Sequence, residues 1–291
     1  MAQTGVISNK SMDDGNARDR SILRIRIVTI IGLIAAWEAF ATLGRLEILY
    51  GDVIPSSWMI AVAVFGELTS SEFYYHLGIT FTEHIVGFIV GSLIAVALGI
   101  SMGVNPLLRK AIEPYLNAIG STPKIIFLPI LFLMFGTGME SKMAKGALSA
   151  FFPVVFTTVL GMILINPVLI KVGKSFNLSK WQMTTKVYMP AMINPVITGL
   201  RLGMAITVIG VLVAELKFSD GGLGYQLGIY YEQFRIAPMY AIILIIFALA
   251  ASANVGMTMF QDKVNRHMAP VTTKGKRGTS SSGSLGVVAT T

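Results

Sequence analysis

The chain has 291 residues, 54% of them hydrophobic and only 13% charged, and its mean hydropathy is +0.69; a soluble domain carries roughly 25% charged residues, so an ordinary soluble fold is excluded. The formal net charge is +8 and there is no cysteine, which removes disulfide frameworks, thiolate metal sites and cysteine nucleophiles. His76, His84 and His267 have no metal-ligand spacing, and no G-x-x-x-x-G-K-[ST] phosphate loop occurs, so neither an enzyme nor a cofactor or metal is expected.

In chain order, residues 1–24 hold Asp13, Asp14 and Asp19 ahead of any apolar run and no convincing cleavage site; they read as a cytoplasmic tail and not as a signal peptide. Uncharged stretches of about 18 or more residues mark membrane-spanning helices, because a bilayer core takes about 20 residues at 1.5 Å each. Six follow, at about 25–43, 80–103, 111–135, 142–165, 194–215 and 238–260. Glu38 beside Trp37 interrupts the first. Gly87, Gly91 and Gly99 in the second suit close helix contact. Between these two spans a surface-lying helix should follow Pro55, capped by Ser56 or Ser57. Glu83 and His84, at the outer start of the second span, read as interfacial. The Ser/Thr/Gly-rich end from Pro270 reads as disordered, within a tail of residues 266–291. The expected fold is an all-α membrane protein with a transmembrane domain at 25–265.

Positive charge sets the orientation. With a cytoplasmic N-terminus, 17 of the 23 lysines and arginines fall on inner segments, and both termini are cytoplasmic. Lys142 and Lys145 count among the outer charges, and Lys124 is left inside a helix. The basic balance is then topology, with lipid as its partner, and a nucleic-acid partner is not needed.

Gly120, Ser121, Thr122 and Pro123 fall together inside the third span, where the proline removes a helical hydrogen bond. This is either an ordinary kink between packed helices or a broken helix lining a transport route. Lys124 costs at least ~2.5 kcal/mol in a span unless it pairs, snorkels or meets water. It either contacts solute or anchors at headgroups. Glu215 ends the fifth span ahead of Gly221, Gly222 and Gly224, which permit a tight turn; Arg201 reads as a headgroup anchor.

Residues 175–190, "SFNLSKWQMTTKVYMP", are basic and amphipathic between two long apolar runs. Ser179 and Gln182 fit a capping box, Asn177 suits a left-handed C-terminal residue, and Pro190 should end the helix near Met189. Two short helices around an elbow result. By pattern alone, a membrane-surface loop accounts for them equally well.

At this point the sequence resembles the permease subunits of binding-protein-dependent ATP-binding-cassette importers, whose cytoplasmic signature reads E-A-A, three residues, G, nine residues, I-x-L-P. The same spacing here runs Lys171-Val172-Gly173, Asn177, Val187-Tyr188-Met189-Pro190. Lys171 reverses the acidic charge, and Asn177 replaces glycine. The stretches "GFIVGSLIAVALGISMG", "STPKIIFLPILFLMFGTG", "GLRLGMAITVIGVLVAE" and "GGLGY" are similar in order to the nitrate, sulfonate and taurine subfamily. The resemblance implies a core of five helices plus an N-terminal helix in a bacterial inner membrane. It also implies a permease homodimer, separate ATP-binding subunits and an extracytoplasmic solute-binding protein. Residues 168–190 would couple to the ATPase, through Lys171, Gly173, Phe176, Asn177, Ser179, Trp181, Gln182 and Pro190. Gly120, Ser121, Thr122, Pro123, Lys124 and Glu215 would lie on the pathway, and Gly221, Gly222 and Gly224 at the outer gate. An ion-coupled secondary transporter or a channel is the alternative; such carriers more often bury carboxylates at mid-membrane, whereas here the acids lie near predicted helix ends.

Overall fold

The computed structural model describes residues 3–46, 53–217 and 219–268, with side chains between 21 and 264. Among them there are only helices and turns. Helix α1 (Gln3–Arg45) spans from Ser21 onward, and α2 (Ser57–Thr69) starts at the Ser56 cap, whose hydroxyl accepts from Met59 N–H at 3.3 Å. Glu38, the charge interrupting the first span, accepts from Ser57 N–H at 3.0 Å while Trp37 Nε1 donates to Pro55 O at 3.1 Å. The two residues pin the start of α2 to α1. At its far end, α2 is tied to the short helix α10 (Leu223–Glu232): Tyr230 Oη donates to Glu67 at 2.7 Å and Gln226 Nε2 donates to it at 3.0 Å.

The bundle is organised around α6 (Met139–Ile163), which lies between α3 (Ser71–Val104) and α9 (Met189–Lys217). The glycines of α3 make this possible by close approach: a Cβ on Gly91 would stand 2.2 Å from Ala147 O, and one on Gly87 2.7 Å from Met143 O. Ala95, Met102, Leu116, Phe152, Val155 and Val159 fill the contact as a buried core. By contrast, α1 and the last helix α11 (Ile236–Met268) leave large apolar side chains such as Ile31, Leu33 and Phe247 uncovered. That is the pattern of helices turned to lipid, where backbone polar groups are satisfied internally.

Among the described residues, five stretches are long and apolar enough to span: Ser21–Arg45, Ser71–Val104, Met139–Ile163, Lys180–Lys217 and Ile236–Val264. The expected third span is not one helix. It consists of α4 (Pro106–Ser121), a 3₁₀ turn (Lys124–Phe127) and α5 (Leu128–Phe135), bent by 95°. Thr122 is extended (ψ 137°) ahead of Pro123, the conformation imposed on a residue preceding proline. The bend thus follows from sequence and exceeds a simple kink.

Candidate functional site

The elbow is built from local hydrogen bonds. Helix α7 (Pro167–Ser175) begins under the Asn166 side chain, which accepts from Val168 N–H at 2.9 Å. It ends as Leu178 N–H reaches back to Gly173 O at 3.2 Å and Asn177 N–H to Lys174 O at 2.9 Å, with Asn177 left-handed at φ 50°. This is a Schellman arrangement. The capping box is present: Gln182 N–H donates to Ser179 Oγ at 3.3 Å and Ser179 N–H to Gln182 Oε1 at 3.0 Å, opening α8 (Lys180–Met183). Gly173 lets α8 fold back, since a Cβ there would lie 2.5 Å from Met183 Sδ.

The helix does not end near Met189. Over Thr184–Tyr188 the ladder widens to a π turn, with Met189 N–H reaching Thr184 O, and α9 continues directly. Pro190 becomes the second residue of α9, and its missing donor falls where the register changes. The elbow is therefore rigidly continuous with a spanning helix. Phe176 and Trp181 are each 76% exposed. Leu169, Val172, Val187 and Pro190 line a hollow of ≈ 620 Å³ beside Phe176, and Lys171, Lys174, Lys180 and Lys186 stand exposed on the same segment.

At the bend, side chains replace the lost backbone bonds. Ser121 Oγ and Thr122 Oγ1 donate to Ala118 O at 3.0 and 2.9 Å, and Lys124 Nζ donates to Gly120 O. Gly120 packs on Phe152 and Phe156, and Lys124 Nζ sits 5.1 Å from the centre of the Phe152 ring. Lys124 thus turns inward, a cation at the C-terminal end of α4 where the helix dipole favours it. Lys142 and Lys145, expected among the outer charges at the start of the fourth span, are buried side chains. Both lie within α6, 2% and 4% exposed, with Lys142 Nζ donating to Thr137 O and Lys145 Nζ to Ser149 Oγ at 3.3 Å. Arg201 donates to Asn254 Oδ1 at 3.0 Å, tying α9 to α11.

Near the other end of α9, Glu215 is buried. Its Oε1 accepts from Thr80 Oγ1 and its Oε2 from Gly224 N–H, both at 2.7 Å. Gly222, at φ 104°, donates its N–H to His76 Nδ1 at 3.1 Å, and Leu223 N–H donates to Thr80 Oγ1 at 2.7 Å. A Cβ on Gly222 would stand 2.3 Å from Glu215 Oε1, so Gly222 is required by contact as well as by conformation. Glu215 and the glycine turn are one unit clamped to α3.

Glu83 and His84 are not interfacial. Helix α3 begins at Ser71, twelve residues before Glu83, which is fully buried, its carboxylate oxygens without hydrogen-bond partners and facing the charges of Glu215, Lys142 and Glu140. His84 is buried with both ring nitrogens unpartnered. It lines an apolar cleft of ≈ 420 Å³ between α3, α9 and α11. The sequence held a signal for these residues: His76, Thr80, Glu83, Gly87 and Gly91 recur at steps of four and three, one face of α3 shared with the packing glycines. The expectation that acids stay near helix ends fails at Glu83.

Residues 87–266, more than half of the chain, match the family described as the binding-protein-dependent transport system inner membrane component. The chain is 29% identical over 195 residues to a Bacillus subtilis aliphatic sulfonates transport permease, SsuC, spanning 67% of this chain and 70% of that one. It is 24% identical over 244 residues to the taurine transport system permease TauC of Escherichia coli, spanning 82% and 88%. In fold it is similar to a chain of the inward-facing MetNI methionine ABC transporter, with TM-score 0.55 and 18% identity over 74% of this chain and 98% of that one. All-helical among the described residues and with multiple apolar spans, the chain belongs to the family of binding-protein-dependent transport system inner membrane components.

Proposed function

We propose that this chain is the permease subunit that forms the translocation pathway of an ATP-binding-cassette importer for a small anionic solute of the nitrate, sulfonate or taurine kind. Solute arrives from an extracytoplasmic binding protein, and separate ATPase subunits drive the cycle. The permease works as a homodimer in a bacterial inner membrane with both termini cytoplasmic. The observation that carries the coupling is the elbow. A Schellman turn and a capping box fix two short helices against each other, present Phe176 and Trp181 outward beside an apolar hollow, and lead without a break into α9. Exposed aromatic anchors on a rigid element suit an interface; a groove on the ATPase would receive them. The sulfonate group shared by the solutes named for SsuC and TauC, together with the lysines turned into the bundle, supports the anionic class.

The test is reconstitution in liposomes with its cognate ATPase and binding protein, measuring ATP hydrolysis against nitrate, ethanesulfonate and taurine. At least one should stimulate hydrolysis and accumulate inside. The buried Glu83 beside Glu215 favours a second reading, an ion-coupled carrier; uptake driven by a proton gradient in liposomes lacking the ATPase would support it and overturn the first.

A further inference from the structure

Lys145 stands out among the buried charges. Lys142, less than one helical turn away on α6, lies in the field of Glu83, Asp220, Glu215 and Glu140. Lys145 has no such company. The charged group it faces is Lys124, and no carboxylate stands within ion-pair distance of either lysine among the described residues. Lys145 Nζ reaches Ser149 Oγ, and Lys124 Nζ lies over the ring of Phe152, about one turn further along α6, so the two ammonium groups approach one stretch of α6 at the bend of the broken span without a countercharge.

Their donor count is incomplete. Each ammonium carries three N–H donors. Lys145 engages Ser149 Oγ, and Lys124 engages Gly120 O. Ser149 cannot neutralise the charge, and its own hydrogen is donated to Lys145 O at 2.9 Å. Up to four N–H donors remain, with the Phe152 ring closing one side of Lys124. Lys145 is buried and Lys124 half-buried; burial of a charge without a partner is costly, and the partner missing at Lys145 is an anion with several acceptor atoms. We propose that Lys124 and Lys145 together form an anion site at the bend, taking a small oxyanion such as a sulfonate or nitrate. The pair joins two elements, so an occupant holds the bend onto α6, and its departure leaves two like charges to repel. The identification of this oxyanion with the transported solute rests on the permease reading; the binding itself does not.

The full chain, purified in neutral detergent, is titrated with sodium ethanesulfonate and with sodium nitrate against sodium gluconate at equal ionic strength, with the thermal unfolding midpoint as readout. A saturable rise is expected with ethanesulfonate or nitrate and not with gluconate. Lys145→Met and Lys124→Met should each weaken apparent affinity at least tenfold, and Lys124→Arg should retain it. Lys145→Met should unfold no lower than the native chain in gluconate, because it removes a buried charge, which makes loss of binding distinguishable from loss of fold. A native chain with no saturable shift, unchanged affinity in Lys145→Met, or a shift produced only by phosphatidylglycerol in mixed micelles would each overturn the proposal. Anion binding without assembly on the ATPase would overturn the permease reading alone.

Discussion

Glu83 and Glu215 are both buried carboxylates near one another, yet their side chains predict opposite responses to the same change. Glu215 accepts two short hydrogen bonds, one at each oxygen. In Glu215→Gln the amide nitrogen must face either Thr80 or Gly224 N–H, leaving a buried donor opposed, which costs about 1–3 kcal/mol. Glu83 accepts no hydrogen bond from a donor group, and its carboxyl faces that of Glu215. Glu83→Gln removes a desolvated carboxyl group and supplies a donor toward Glu215, so its unfolding midpoint in detergent should equal or exceed that of the native chain while that of Glu215→Gln falls. Equal losses would mean that Glu83 has a partner. Gly222→Ala combines a left-handed backbone with collision on Glu215; a cost of about 1–3 kcal/mol is expected from the backbone alone. Sequence reading found Glu215 and the glycines because they stand beside a helix end. It misjudged Glu83, because a span boundary drawn from hydropathy started α3 at Thr80 and hid the polar turns before it.

At the scale of the element, the elbow was legible because its determinants are local. Asn177, Ser179 and Gln182 specify a turn and a cap within a few residues, and both formed. What local rules missed was the π turn, which depends on how Pro190 is accommodated once α9 packs on α6. Asn177→Val, a β-branched residue forced to positive φ, should destabilise the elbow by roughly 1–2 kcal/mol, whereas Asn177→Gly should be tolerated. Trp181→Asp should abolish solute-stimulated ATP hydrolysis while membrane abundance stays normal, and a cysteine at that position should crosslink to the ATPase; normal uptake by Trp181→Asp would remove the coupling assignment. The α2–α10 tie follows pH. Burial, and then the hydrogen bond to Glu67, push the Tyr230 hydroxyl up from 10.0 to about 12. A raised acid is held neutral in the fold, so its contribution is complete below the unfolded value and declines as pH rises from 10 toward 12. The difference in unfolding midpoint between the native chain and Tyr230→Phe should shrink over that interval.

For the whole molecule, the bent pair decides the topology. If α4 and α5 together cross the bilayer, the chain has six crossings, and the N-terminus, the elbow and α11's far end share one side. If the 95° bend makes a re-entrant loop, five crossings remain and the elbow moves to the side opposite the N-terminus, where no ATPase can reach it. Charge favours the first arrangement. Arg24, Arg26, Arg109, Lys110, Lys171, Lys174, Lys180 and Lys186 fall on one side only with six crossings, and short positively charged loops stay cytoplasmic. A reporter active only outside the cytoplasm separates the two. Fused after Asp220 it should be active, and fused after Pro106 or Asn177 inactive; fusions after Asp52 and Lys276, outside the described residues, should be active and inactive respectively. A re-entrant loop would invert Asn177 and Asp220 but leave Pro106 unchanged. That inversion would withdraw the coupling role of Trp181 and the cytoplasmic C-terminus together, while the Lys124–Lys145 joint, which depends only on contact between the bend and α6, would keep its chemistry.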